Sequence, residues 1–427
     1  AQFSKGVYTE EAMLAQTVQC TCGLRSTGDA WRAERKPFIS GEGSRSKVLR
    51  KSSDLLVAGL LARAISRGEH RRPSKWIRRR AEEALFRFGV IADVQYADRE
   101  DALNFTGSRL RRYRTSRDLW NQAVKWFLDE KVDFIAQLGD FVDGCNRGVP
   151  GQGRRALQEL LSPVDQGPPV LHLIGNHELY NFARKEMETG IFLPGLEVPF
   201  RTSAPSGLNA EAPSRTSSYY SFCPADGWRI CVLDPYEISI MSHGGGRPGM
   251  DEVPLEPQAV EWCQENNPND ITQEDFARGI PPGVARRWVP LNGAVSEEQL
   301  AWLKETLDLS FKRNEQTIIL SHVVLFPEAT PGGNGLTLLW NYEKVLEVFR
   351  NAKRPPTAVL CGHAHLMVNS VDEASGTHHV TFPTPLEVDP GSDACAVVEA
   401  FSNGILKIRG RGDVVSSTLS PLFATCT

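Results

Sequence analysis

From Phe86 onward, short apolar runs alternate with segments whose apolar residues recur at helical spacing. RFGVIAD (87–93), VLHLI (170–174), ICVL (230–233), TIIL (317–320) and TAVLC (357–361) each read as a buried strand followed by a polar loop. So does the apolar part of VDFIAQLGDFVDGCN (132–146), which breaks at Gly139 and leaves Asp140 and Asp143 on a short loop. Residues 116–131 carry Leu119, Ala123, Trp126 and Phe127 at helical spacing. A second helix is predicted to begin at Ser296, where Ser296 and Gln299 stand at capping-box spacing ahead of Leu300, Leu303 and Leu307, and a third covers 342–350. Strands alternating with helices predict a layered α/β architecture whose strand-end loops carry function. Two stretches, 194–219 and 242–292, are rich in Gly, Pro, Asn and Ser and read as irregular lids or insertions.

Composition narrows the class. A chain of 427 residues, 41% hydrophobic and 23% charged, has the make-up of a globular protein with room for one large α/β domain or two smaller ones. No uninterrupted apolar run reaches the roughly 18 residues that would span a bilayer, so no membrane span is predicted. The net charge of -4 hides an asymmetry: residues 1–84 hold 17 Lys and Arg against 9 Asp and Glu, and the remainder holds 31 against 43. Residues 1–84 therefore read as a basic N-terminal extension, 85–412 as the main domain and 413–427 as a C-terminal tail. The chain opens on Ala1 rather than Met, as a fragment or processed product would. Within the extension LLVAGLLARAI (55–65) reads as one helix, and HRRPSKWIRRR (70–80) as a solvated linker, with nucleic-acid contact as the rival. An organellar transit sequence is the rival for the whole extension, against which its nine acidic residues argue. The nine cysteines include Cys223, Cys231, Cys361 and Cys395 inside apparent strands. They read as free buried thiols in a reducing, cytoplasmic compartment. Cys20 and Cys22 form only a CxC, with no second pair at zinc spacing.

Chemistry enters at the strand ends. Asp93 and Gln95 follow the first strand, Asp140 and Asp143 the second, and Asn176, His177 and Glu178 the third. His322 follows TIILS, and His363 and His365 follow VLCG. Any one of these serves an ordinary turn equally well. Five strand ends that all carry oxygen or nitrogen ligands point to a metal site instead.

The series Asp93-x-Gln95, Gly139-Asp140-x-x-Asp143, Gly175-Asn176-His177-Glu178, Ser321-His322 and Gly362-His363-x-His365 resembles the five-block signature of the calcineurin-like metallophosphoesterases. The resemblance covers roughly 86–398 and departs at Gln95, where the family has His. With GNHELYN, LDPYEIS, LNGAVSEEQLAWL, LLWNYEKVL and THHVTF, that departure is similar to the manganese-dependent ADP-ribose/CDP-alcohol diphosphatases. The resemblance implies a four-layer α/β/β/α sandwich and a dinuclear centre of two divalent ions. It implies hydrolysis of the phosphoanhydride of ADP-ribose and CDP-alcohols such as CDP-choline, by attack of a hydroxide bridging the ions. By the family pattern Asp93, Gln95, Asp140 and His365 hold one ion, and Asp140, Asn176, His322 and His363 the other. A neutral amide oxygen from Gln95 hardens the first position and tilts the choice toward Mn²⁺. His177 is left as a catalytic group that donates to phosphoryl oxygens or to the leaving group, with Asp143 holding its other ring nitrogen.

For the substrate, Asn104, Phe105, Arg109, Arg111, Arg112 and Tyr113 offer an aromatic face for a base and guanidinium groups for a second phosphate. A helix surface rich in arginine is the bland reading of the same residues. Tyr180 and Asn181 follow the GNHE block and are expected near the nucleotide. The rival functions are a phosphomonoesterase or phosphodiesterase on the same metal core, an inactive scaffold, and an enzyme carried to nucleic acid by its basic extension.

Overall fold

The computed structural model describes residues 83–104, 107–165, 167–189, 218–241, 243–246, 256–273 and 275–421. The helix at 55–65, the basic run at 70–80, Cys20, Cys22 and Phe105 lie outside the described residues, as does most of the 194–219 stretch.

The first strands are β1 (Phe86–Ile91), the short β2 (Ala102–Leu103) and β3 (Leu110–Arg111), β4 (Phe134–Gln137) and β5 (Val170–His172). Then come β6 (Tyr220–Ala225), β7 (Trp228–Val232), β8 (Ile238–Ser239), β9 (Gly293–Ala294), β10 (Gln316–Ser321) and β11 (Ala358–Cys361). The last are β12 (Val368–Asp372), β13 (Thr377–Thr381), β14 (Ala394–Ala400), β15 (Leu406–Gly412) and β16 (Ser417–Leu419). The helices are α1 (Tyr113–Asp129), α2 (Gln152–Leu161), α3 (Asn176–Asn181), α4 (Arg184–Thr189), α5 (Pro257–Asn266), α6 (Glu297–Lys312) and α7 (Tyr342–Asn351).

Among the described residues the strands form two six-stranded sheets, ordered β16-β15-β14-β1-β4-β5 and β12-β13-β11-β10-β7-β6. Within the first, β1, β4 and β5 run parallel; within the second, β7, β10, β11 and β13 do. Antiparallel strands close both edges of the second sheet and one edge of the first, whose other edge is the parallel β5. The parallel strands are mostly apolar because both of their faces are buried, and polar residues among them such as Gln137, Arg229 and Thr317 are buried too. Phe88 and Val90 of β1 pack with Ile318 and Leu320 of β10 in the core between the sheets. Their neighbours Ile91 and Ile319 turn the other way, into the core shared with Trp120 and Phe127 of α1, Leu303 of α6 and Phe349 of α7. That two-fold alternation makes four layers, α/β/β/α, as the resemblance implied. Phe134 stacks on Phe88 at 4.9 Å and meets Phe222 edge-on at 5.7 Å, which ties β4 to both sheets.

Local readings differ from the structure in four places. Helix α1 starts at Tyr113 rather than 116. Helix α5 and a 3₁₀ turn (Val284–Arg287) interrupt the stretch read as irregular; α5 buries only Ala259 and Cys263, too few for an apolar period. β16 is the edge strand of the first sheet, so the sheet continues into the stretch read as a C-terminal tail. At Ser296 the hydroxyl accepts from the Gln299 amide at 3.1 Å as a cap should, but the Gln299 side chain reaches Asp234 and Glu237 instead of closing the box. Cys145, Cys263, Cys361 and Cys395 are free, and Cys145 and Cys223 are only half-buried.

His379 on β13 is buried against Phe326, its ring 4.7 Å away, and burial pulls its pKa down to about 3. The unfolded chain takes up that proton near pH 6.5, so stability present above pH 6.5 is lost as pH falls toward 3. By pH 5 the loss is about 2 kcal/mol. Urea unfolding of the wild type and of His379→Leu at pH 7 and pH 5 should give a shallower acid loss in the variant. Equal losses would contradict this account.

Candidate metal centre

All the parallel strands of both sheets deliver their C-terminal loops to one edge, where such sheets collect ligands. The loops are stitched by backbone bonds: the Asp93 amide to Gly139 O (3.1 Å), the Gln95 amide to Asp140 O (2.9 Å) and the Gly362 amide to His322 O (3.1 Å). The sheets meet where the His363 amide donates to Asp93 Oδ2 at 2.9 Å. Asp93, Gln95, Asp140, His363 and His365 have φ of 53, 44, 56, 67 and 62°, in the left-handed region. Among the described residues only Lys131 and Asn314 share it without being glycine. Each such residue costs roughly 1–2 kcal/mol, and a cluster of them at strand ends marks loops turned sharply to aim side chains inward. Gly139 and Gly175 make the convergence possible. A Cβ on Gly139 would lie 2.4 Å from His322 Nδ1, and one on Gly175 would lie 2.2 Å from Asp140 Oδ1.

Asp140 occupies the middle. Its Oδ2 lies 3.0 Å from Gln95 Nε2, 3.5 Å from His322 Nε2 and 3.8 Å from His177 Nε2, and its Oδ1 accepts the His177 amide at 2.8 Å. The ligand atoms of Asp140, His322 and His363 all lie within 4.8 Å of one another, and all three residues are buried. His365 Nε2 is 2.9 Å from Gln95 Nε2 and 3.5 Å from Asp93 Oδ1. Asn176 is held between the hydroxyls of Tyr180 (3.0 Å) and Tyr236 (3.2 Å).

These residues fit a divalent cation. Gln95 Oε1 and His322 Nε2 are buried without a hydrogen-bond partner, a state that costs about 1–3 kcal/mol each unless something else satisfies them. A half-turn of the Gln95 amide exchanges its oxygen with the Nε2 that now faces Asp140 and His365. The histidines are backed in the manner of metal ligands: His322 Nδ1 lies 2.8 Å from Leu138 O, and His365 Nδ1 lies 3.1 Å from Glu387 Oε1.

Without a cation, protons balance the charge. Burial raises the Asp140 carboxyl, but the imidazoles of His177 and His322 outweigh it and hold the group well below the usual carboxylate range. Burial pulls His322 down while Asp140 pushes it up, for a net rise to about 9; His365, beside Asp93 and Glu387, also reaches about 9. Burial and the imidazole of His322 drive His363 well below its ordinary value. Burial and the nearby Asp140 charge lift Glu178 to about 7.

The structure brings Asp93, Gln95, Asp140, Asn176, His322, His363 and His365 together, with His177 at the opening. Asp143 is not the hydrogen-bond partner foreseen for His177. The Gly144 amide takes Nδ1 at 2.7 Å, while Asp143 Oδ2 stands 3.4 Å away and its Oδ1 caps the following turn through the Cys145 amide at 2.8 Å. Burial raises the Asp143 carboxyl, and the His177 imidazole brings it down to about 2. Tyr180 is buried with its hydroxyl on Asn176, and Asn181 Nδ2 bonds the carbonyls of Asp143 and His177. Both belong to the scaffold behind the ligands and not to a substrate face. Arg111 donates from Nε to Glu387 Oε1 at 3.1 Å, Arg112 bonds Val388 O, and Tyr113 is buried. The side chain of Asn104 bonds within its own turn, to the Ser108 and Arg109 amides. Sequence reasoning missed Glu387, behind His365, and Asn292, 2.9 Å from His363 Nε2. It gave Glu178 no role, whereas its carboxylate accepts the amides of Asp140 (2.7 Å), Phe141 (2.6 Å) and Gly175 (2.8 Å), clamping two ligand loops. Glu178 stands in the GNHE block and Asn292 in the LNGAV segment, but nothing in the sequence said what either would touch, and Glu387 follows no strand-end pattern.

The profile described as Calcineurin-like phosphoesterase matches residues 86–367. A protein of Danio rerio named "Manganese-dependent ADP-ribose/CDP-alcohol diphosphatase" is 34% identical over 343 residues, 79% of this chain and 99% of the relative. One of Arabidopsis thaliana with the same name is 34% identical over 326 residues, 76% of this chain and 93% of the relative. A crystal structure of a dimetal phosphatase from Danio rerio superposes with a TM-score of 0.67 at 31% identity, covering 79% of this chain and 100% of that one.

Glu387→Gln keeps the volume behind His365 and removes the charge. Losing such support costs about 10–100-fold in metal affinity or activity. A metal titration of the variant should show weaker binding by that order, and unchanged affinity would dismiss the role.

Proposed function

We propose that this chain, which belongs to the calcineurin-like phosphoesterase family, hydrolyses the phosphoanhydride of ADP-ribose and CDP-alcohols with two Mn²⁺ ions at the centre built around Asp140. The observation that carries the reading is the buried cluster of Asp140, His322 and His363 with Gln95 beside it. The named relatives, matched over nearly their whole length, support the substrate class and the metal. In this reading Asp93, Gln95, Asp140 and His365 hold one ion, and Asp140, Asn176, His322 and His363 the other. When bound, the ions supply Lewis acidity at the phosphoryl oxygens and lower the pKa of water.

The chain's own residues do the rest. His177 accepts the Gly144 amide at Nδ1, so its proton resides on Nε2, the nitrogen directed at Asp140. From there it donates to the oxygen that leaves as the P–O–P bond breaks, while water oxygen joins the attacked phosphorus. Two phosphomonoesters result. Asp143 holds the turn that presents the Gly144 amide. Arg111, tied by Nε to Glu387, keeps its terminal nitrogens for the second phosphoryl group. Phe105, between β2 and β3 in sequence, is the residue we assign to stacking on the base. No helix among the described residues is long and apolar enough to cross a membrane. The free thiols support a reducing compartment, which we take to be the cytoplasm.

Rates on ADP-ribose, CDP-choline and p-nitrophenyl phosphate with Mn²⁺ test the reading. The diphosphates should be preferred, Asp140→Asn should abolish turnover, and Arg111→Gln should lose about 10–100-fold on the diphosphates but little on the monoester. Faster turnover of the monoester by the wild type would overturn the assignment in favour of a phosphomonoesterase.

A further inference from the structure

The segment LNGAV, one of those similar to the diphosphatases, supplies Asn292, a residue without a role in the reading above. Asn292 is fully buried in the loop before β9, and its amide is completely used. Nδ2 donates to Arg287 O at 2.8 Å and to Leu336 O at 2.9 Å, and Oδ1 faces His363 Nε2 at 2.9 Å. Two carbonyls on one end of an amide leave no freedom to exchange its ends, because only the NH₂ end can donate to both. The atom facing His363 is therefore oxygen, which only accepts. From this geometry we infer that Asn292 is a positioning residue: it forces the proton of His363 onto Nε2 and so reserves Nδ1, with its lone pair, for the ion.

A neutral imidazole has one donor and one acceptor nitrogen, and the partner of the first decides which nitrogen can bind metal. His322 and His365 are held through Nδ1, by Leu138 O and by Glu387 Oε1, so their Nε2 faces the centre. His363 is held the other way round, through Nε2. The His363 amide is itself committed to Asp93. Asn292 also ties the ligand to two walls of the site, through Arg287 and Leu336.

The inference rests on the ligand role proposed for His363, and the two can fail separately. That role fails if His363→Ala retains two ions per chain by elemental analysis. The Asn292 role is tested by Asn292→Leu and Asn292→Asp. Leucine removes the acceptor. Aspartate keeps an acceptor toward His363 but loses both donors to the loops. Mn²⁺ titration should show one ion bound about 10–100-fold more weakly in Asn292→Leu, with both ions retained in Asn292→Asp. If both variants lose the ion equally, Asn292 only ties loops together and the inference falls. It falls equally if neither loses it. A direct reading of the tautomer does not depend on how the Asn292 variants fold. In ¹⁵N-histidine NMR of the metal-free protein at neutral pH, the resonance missing from His363→Ala should be the Nε2–H tautomer, and an Nδ1–H tautomer would overturn the inference.

Discussion

A carboxylate buried where two sheets meet must be surrounded by positive charge or by donors, because desolvating it alone costs several kcal/mol. Asp140 is such a group, 1% exposed and within reach of Gln95, His177 and His322. Most of the site's construction follows from that requirement. Loops from both sheets have to reach one point, and the residues that arrive there are those able to share a cation. Glu178, itself buried, spends its carboxylate on backbone amides so that the loop carrying Asp140 and the loop carrying Asn176 remain in register.

The sandwich makes that convergence rigid. Parallel strands end together on one edge, and the packing of Phe88, Phe134 and Phe222 keeps the sheets from sliding relative to each other. Five of the clustered residues are held at positive φ two to four residues beyond the strands they follow, a strain the core sustains and which turns their side chains inward. The centre is consequently preformed, and its three metal-facing histidines have partners that decide in advance which nitrogen is free.

The opening of the site is built differently. His177 is oriented by a backbone amide from the Asp143 turn, and Asp143 acts through that turn. Tyr180 and Asn181, three and four residues beyond His177 on α3, spend their polar atoms on Asn176 and on the carbonyls of Asp143 and His177.

The sequence by itself determined the α/β layering and singled out Asp93, Gln95, Asp140, Asn176, His322, His363 and His365 as candidate ligands. Buried parallel strands are built on apolar runs, so Asp93, Asp140, Asn176, His322 and His363 stood out soon after each run stopped. What it left open were relations between residues far apart in the chain. That Glu387 backs His365, that Asn292 backs His363 and that a glycine amide displaces Asp143 from His177 were decided only when the loops packed. A backing residue needs one polar atom at hydrogen-bond distance, and any of several residue types on any nearby loop can supply it. Such a demand leaves no periodicity or spacing in the chain. Only the three-dimensional arrangement, which brings positions 292 and 387 beside 363 and 365, could reveal it.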